Sequence, residues 1–377
     1  MIKIAFFSFA DIDNFGDTLF SHIFKLEMEK RFKSLQIDFY TPSEYSAEGI
    51  NYFSYNREKI IKNDYDALIV FGGEVVHLYD DRTWKPIYRK KNVQLESDLP
   101  SDVIFNWTDI SKPFRAWLSV GVRPIENEND YLKINSAIAT LDYLSVRGIL
   151  SKKILEGNKL EFNNTKIEVT PDMGWLFPEI LIKNNQKGKF YKKHTKSNNY
   201  LVFQINRITN YEAKEIGRYL KNFQERHEID IVFLPIMRPY EDFKYLKLIF
   251  EEFPTRFCLL DNNLSILELT DIIVHAKIVL SSSLHVNITA LSAGIPAGII
   301  NKWQGTKLQD ICAHQFRLNF LKHQFDEIPD LLENLLKEIS NTELLSSYST
   351  FMKNSLSKIF DDLSEKILDS TNKCKGI

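Results

Sequence analysis

The chain has 377 residues with 48 Lys and Arg against 50 Asp and Glu, and its net charge of −2 excludes the basic excess that general nucleic-acid binding needs. A hydrophobic share of 44% with 26% charged residues is that of a folded globular protein, and the length predicts two domains rather than one core. No window approaches the ~20 consecutive apolar residues that span a bilayer, so any membrane contact is expected to be peripheral, at the inner face. Cys258, Cys312 and Cys374 lie far apart without metal-ligand spacing, so reduced thiols in a cytoplasmic protein are expected, and no metal site.

In chain order, Ile2–Ser8 predicts a first strand rather than a signal peptide, and the loop after it carries Asn14-Phe15-Gly16-Asp17. Leu19, Ile23 and Leu26 then keep helical spacing over Thr18–Phe32, with Asp17 placed to cap the helix. Strand, loop and helix in this order open a doubly wound α/β domain, in which ligands lie at the carboxyl ends of strands. A short strand is expected at Ile37–Tyr40 and a clear one at Ala67–Val70, followed by Gly72-Gly73, where the backbone can turn tightly or approach a ligand. Arg115–Val120 with Gly121 and Arg123, then Leu144-Ser145-Val146-Arg147-Gly148 with Ser151, repeat the scheme. Val169–Trp175, containing Pro171-Asp172, closes the first domain, 1–182.

The lysine- and asparagine-rich stretch 183–199 predicts an exposed linker. A second α/β domain, 200–325, opens with Tyr200–Ile205 and Asn206-Arg207, then a helix over Tyr211–His227. The strand Ile229–Leu234 leads to Arg238, and a helix over Asp242–Phe253 follows. After Phe257–Leu260 and a helix over Ser265–Ala276 comes Val279–Lys302: a strand end, serines including Ser282 and Ser283, a helix bearing His285, Gly294, and the strand Ala297–Ile300 before Lys302. The serines are expected to cap the helix and Gly294 to take its left-handed end, which places an imidazole beside unpaired backbone N–H groups, a setting suited to anions. Residues 326–377 are amphipathic helix throughout, expected to dock on a domain.

The run Ser281-Ser282-Ser283-Leu284-His285, an aliphatic helix, Gly294-Ile295-Pro296, a strand and Asn301-Lys302 resembles the C-terminal signature of the polysaccharide pyruvyl transferase family. The Asn14–Asp17 loop, Gly72-Gly73 and the Ser145–Ser151 pattern are similar to further motifs of that family, so the resemblance runs from Asn14 to about Phe316. It implies two Rossmann-like domains facing across a cleft, GT-B-like, with C-terminal helices. It also implies transfer of pyruvyl from phosphoenolpyruvate onto saccharide hydroxyls as a ketal during surface polysaccharide assembly, with no further cofactor. The acceptor is then a free nucleotide sugar, a lipid-linked unit or a polymer. On this resemblance His285 is the acid/base and Asp17 orients or deprotonates the acceptor hydroxyl. Arg207, Arg147, Arg238, Lys302, Ser282 and Ser283 surround the anionic donor, and Asn14, Gly16, Gly72 and Gly73 face the acceptor. Several branches of the family carry Arg where this chain has Ser283, so the donor's cation must come from elsewhere, with Arg207 and Arg238 as candidates.

Two other readings fit the same architecture. A GT-B glycosyltransferase would need a late carboxylate for ribose, and Ala297–Gly305 offers none. A non-catalytic α/β binding protein would keep the fold without turning over phosphoenolpyruvate. Oligomeric state is not legible in the sequence.

Overall fold

The computed structural model describes residues 1–76, 88, 113–125, 127–157, 166–195, 197–237, 241–314 and 317–375. The chain forms two compact units, Met1–Met173 together with Asn354–Ile377, and Gly174–Lys353.

In the first unit the described strands are β1 (Ile2–Phe7), β2 (Leu35–Thr41), β3 (Tyr45–Ala47), β4 (Ile50–Ser54), β5 (Ala67–Phe71), β6 (Phe114–Val120), β7 (Tyr143–Val146) and β8 (Ile167–Val169). They lie in the order β3-β4-β2-β1-β5-β6-β7-β8 and pair in parallel, except for β3 with β4. The central strands are near-continuous apolar runs, as a sheet covered on both faces requires, and all of β5 is buried. The edge strand β3 and its neighbour β4 are not predicted from sequence. In β4 only Ile50 and Tyr52 turn inward, too few residues for a period to show. Helices α1 (Phe15–Arg31), α2 (Arg57–Asn63), α3 (Glu128–Ile138) and α4 (Ile149–Gly157) alternate with the strands.

The second unit begins with the short helices α5 (Glu179–Lys183) and α6 (Tyr191–His194). Its strands are β9 (Tyr200–Gln204), β10 (Asp230–Phe233), β11 (Phe257–Leu259), β12 (Ile278–Ser281), β13 (Ala297–Ile300) and β14 (Leu321–Lys322). All pair in parallel, in the order β11-β10-β9-β12-β13-β14. Helices α7 (Asn210–His227), α8 (Asp242–Glu252), α9 (Ile266–Val274), α10 (Leu284–Ser292), α11 (Thr306–His314), α12 (Ile328–Glu338) and α13 (Thr342–Lys375) complete the chain. Thr209 with Glu212 and Ser265 with Glu268 form capping boxes that start α7 and α9.

Each sheet reverses its strand order once. From β1 the chain moves outward through β2 and β4, then returns to the other side at β5. From β9 it moves out through β10 and β11, then returns at β12. Such a switch point leaves a crevice at the carboxyl ends of the two central strands, where doubly wound folds bind ligands.

The stretch 183–199, expected to be an exposed linker, keeps Lys187, Lys189 and Lys192 exposed but is anchored within the second unit. Buried Asp271 of α9 accepts backbone N–H groups from Gly188 (2.7 Å), Phe190 (2.8 Å) and Tyr191 (3.0 Å), and Tyr191 is itself buried, its ring stacked on His275 at 4.3 Å. Burial alone would raise the Asp271 carboxyl, but His275 and these N–H groups hold it below its ordinary value. One distant carboxylate therefore organises a segment that reads locally as solvated. Asp271→Ala is expected to strand three N–H donors at about 1–3 kcal/mol each. Local opening should then raise tryptic cleavage at the exposed Lys187, Lys189 and Lys192 by roughly tenfold or more, and an unchanged cleavage rate would show that the segment is held otherwise.

The C-terminal helices divide between the units. Leu331, Leu332 and Leu335 of α12 are fully buried in the second core, Leu331 against Gly298. The end of α13 belongs to the first unit, where Phe360 packs on Phe24 and Phe71 while Arg31 bridges to Asp361 at 2.8 Å. Its apolar stripe, Leu356, Phe360, Leu363 and Ile367, is consumed by this packing. No described helix is long and apolar enough to cross a membrane.

Candidate functional site

At the switch point of the first unit, Asn14 rather than Asp17 is the N-cap of α1, its Oδ1 accepting from Gly16 N–H (3.2 Å). Asn14 Nδ2 donates to Asp17 Oδ2 at 2.7 Å, which leaves Asp17 half-buried in the first helical turn. Gly72 and Gly73, just past β5, both adopt positive φ (61° and 69°). A Cβ on Gly72 would strike the Phe20 ring at 2.8 Å, and one on Gly73 would stand 3.3 Å from Asp17 Oδ1. The glycines thus let the β5 turn close onto Asp17. Asn14, Asp17 and Gly73 lie together at this turn, and Gly16 is part of the cap. Beside them Arg123 pairs with Glu74 at 2.6 Å.

The Ser-Val-Arg-Gly-x-x-Ser segment lies on the same edge but holds the scaffold. Ser145 Oγ accepts from Ser119 N–H (2.8 Å), where β6 bulges and Ser119 takes φ 53°, and Ser119 Oγ donates to Pro171 O (2.8 Å). Ser151 Oγ accepts from Val122 N–H. Arg147, a donor-binding candidate by sequence, is 2% exposed and pairs with the equally enclosed Asp172 at 3.3 Å. Gly121 makes room for it, since a Cβ there would lie 2.7 Å from the guanidinium. The buried ion pair directs this cation into the scaffold, and Asp172 gains a partner that the Pro171-Asp172 motif did not reveal.

At the second switch point, Arg207 follows β9 and is exposed, with φ 54° in the left-handed region. Ser282, Ser283 and His285 follow β12, the direct neighbour of β9. His285 is the second residue of α10, 9% exposed, with its ring edge-on to Phe177 (5.8 Å). Ser283 occupies the N-cap position without a side-chain capping bond, contrary to expectation. Asn287 ties the turn instead, donating to Ser281 O (3.1 Å) and Ser283 O (2.7 Å). Gly294 ends the helix at φ 78°, as the sequence indicated. Lys302 is engaged in an ion pair with Glu212 of α7 and lies over Phe325 at 5.1 Å. Burial would raise the Glu212 carboxyl, but Lys302 and Thr209 hold it below its ordinary value. Arg238 lies outside the described residues. Among the described residues no cluster of three or more His, Cys, Asp or Glu gathers as metal ligands.

Sequence reasoning missed Gln204 and Asp242, both sealed beneath the serine loop. Asp242 accepts from Ile236 N–H (3.0 Å), Met237 N–H (3.1 Å) and Gln204 Nε2 (3.3 Å). Gln204 Oε1 in turn faces Ser281 Oγ (2.7 Å) and Ser282 Oγ (3.3 Å). Burial outweighs these bonds and pushes the Asp242 carboxyl up to about 6. A folded pKa above the unfolded one means that the native state holds the extra proton, so stability is greatest below the unfolded value near 3.8 and falls as pH rises to about 6. Asp242→Asn should abolish that slope, on the order of 2–3 kcal/mol between these limits, in unfolding measured across pH. An unaltered slope would assign it to other groups.

The model of the polysaccharide pyruvyl transferase family matches residues 14–301, from the Asn14 cap to the residue after β13. The chain belongs to the polysaccharide pyruvyl transferase family. As a member of that family it is a transferase with a saccharide acceptor. No curated protein matches it by sequence. Among solved structures it is similar to the UDP-GlcNAc 2-epimerase of Methanocaldococcus jannaschii, with 13% identity, TM-score 0.57 and 89% and 92% of the two chains covered. It is also similar to the UDP-GlcNAc 2-epimerase of Neisseria meningitidis bound to UDP-GlcNAc, with 12% identity, TM-score 0.54 and 95% and 99% covered. At these identities the likeness is one of fold, two Rossmann-like α/β units in one chain.

Proposed function

We propose that this family member transfers the pyruvyl group of phosphoenolpyruvate to two hydroxyls of a saccharide, with His285 as the proton carrier. The observation that carries the reading is the seat of the family's histidine: the first turn of α10, at the switch point between β9 and β12, with Arg207 on the neighbouring strand's exit. Phosphoenolpyruvate carries two anionic groups on a small alkene, so its site needs N–H and cationic donors close together. A helix start and an exposed guanidinium supply both. In the reaction the methylene carbon gains a proton and one sugar hydroxyl adds to the adjacent carbon, losing its proton. The C–O bond to phosphate breaks, and a second hydroxyl adds at the same carbon to close the ketal, its proton passing to the departing phosphate. Imidazole is the side chain that gives and takes protons near neutrality. Asp17, held by Asn14 at the switch point of the first unit, is the proposed group that orients or deprotonates the acceptor hydroxyl.

Binding is tested first because it needs no knowledge of the saccharide. Phosphoenolpyruvate at ~100 Kd should stabilise the protein by ~2.7 kcal/mol, read as a rise in Tm, and Arg207→Ala should reduce that rise. UDP-GlcNAc, named in one of the similar structures, serves as the comparison ligand. Stabilisation by UDP-GlcNAc alone fits either a glycosyltransferase or a pyruvyl transferase binding its acceptor, and phosphate release from phosphoenolpyruvate with UDP-GlcNAc present separates the two. No release with any saccharide would overturn the proposal.

A further inference from the structure

The buried groups beneath the serine loop form a hydrogen-bond chain whose direction is determined at one end. Asp242 is sealed from solvent and accepts two backbone N–H groups, and well above pH 6, where its carboxyl has no hydrogen left to give, it acts as an acceptor in the chain. The Gln204 amide must then turn its nitrogen toward Asp242 and its oxygen toward the serines. That oxygen takes the hydroxyl hydrogens of Ser281 and Ser282. With its hydrogen committed, Ser281 Oγ accepts from Ser283 N–H at 2.8 Å. The chain links the carboxyl ends of β9, β10 and β12 to the residue that precedes α10.

We infer that Asp242 and Gln204 are positioning residues that set the donor–acceptor polarity of the serine loop, so that Ser282 meets its ligand as an acceptor. Only lone pairs remain on Ser282 Oγ once its hydrogen points at Gln204. Such a group takes a ligand hydrogen, as from a sugar hydroxyl, and it repels a bare carboxylate or phosphate oxygen. This assigns Ser282 away from the anionic donor groups, and it rests on the reading of this switch point as the substrate site. Ser283 N–H is drawn inward by the same chain, which aligns the entry to α10 and so the placement of His285.

Three variants at the two buried positions test the chain. Asp242→Asn brings an N–H donor against donors and removes the constraint on the Gln204 amide. Gln204→Glu sets a second carboxylate beside Asp242. Combined, the two substitutions restore the direction: the new amide at position 242 donates to the new carboxylate at position 204, which still accepts from the serines. Ile236 N–H, whose bond goes to the same Oδ2 that faces Gln204, loses its acceptor while Met237 N–H keeps Oδ1. Two readouts are used, hydrogen exchange at the Ser283 amide and calorimetric affinity for phosphoenolpyruvate. Each single variant should speed exchange and weaken affinity by about tenfold, and the double should recover at least half of each loss on a logarithmic scale. A double no better than the worse single overturns the inference. Ser282→Ala supplies a variant outside the buried network, and it should leave phosphoenolpyruvate affinity within about twofold, since no hydrogen bond to an anion is lost. A loss of about tenfold or more would mean that Ser282 donates to the anion, which also overturns it. If the wild-type protein fails to bind phosphoenolpyruvate, the proposed donor is wrong, while exchange at Ser283 across the cycle still decides the chain.

Discussion

Replacing Asp172 with alanine is expected to destabilise the first unit by about 3–5 kcal/mol, because it leaves the Arg147 guanidinium buried without its counter-charge. The two side chains are 2% and 1% exposed and 3.3 Å apart, so water cannot take over from the carboxylate. Gly121 lies against the guanidinium, so close that a Cβ there would stand 2.7 Å away. A loss of this size is a large part of the ~5–15 kcal/mol that holds a typical domain together. Arg147→Met with Asp172→Leu should cost less than Asp172→Ala, since a buried pair replaced by apolar groups of similar volume leaves no bare charge. Urea unfolding followed by hydrogen exchange in β6 to β8 separates this unit from the other. A cost below about 1 kcal/mol for Asp172→Ala would show that the pair is open to solvent.

His285→Gln is expected to lower pyruvyl transfer by about 10²–10⁴-fold, the usual worth of a positioned acid or base. Glutamine keeps a long polar side chain against Phe177 and remains compatible with the first turn of α10, so the fold should persist with a Tm close to wild type. The loss should fall on kcat more than on binding, because a proton carrier acts in the transition state. The assay is phosphate release from phosphoenolpyruvate in the presence of a saccharide panel. Full turnover by His285→Gln would move the proton steps to another group, with Asp17 the first to test.

Much of the architecture was legible in the sequence. Apolar runs such as Ala67–Phe71 and Tyr200–Gln204, punctuated by turn residues and alternating with amphipathic helices, specify strand and helix from a few neighbouring side chains. The parallel sheets follow from that alternation, and the motifs at Asn14–Asp17, Gly72-Gly73 and Ser281–His285 sit at the ends of the predicted strands for the same local reason.

Tertiary structure decided what the charged and polar side chains do. Arg147 could face the donor or structure the fold by its sequence alone, and the pairing with Asp172 beside Gly121 encloses it. Lys302 reads as available until Glu212, 90 residues away, takes it up. The lysine-rich stretch near Gly188 reads as an exposed linker, and Asp271, 83 residues away, anchors its backbone. Gln204 and Asp242 carry no motif at all, and their role comes only from the convergence of three strand ends. Backbone periodicity is set by contacts a few residues apart. The partner of a buried charge is set by which strand ends the topology brings together, and no window of local sequence contains both members of such a pair.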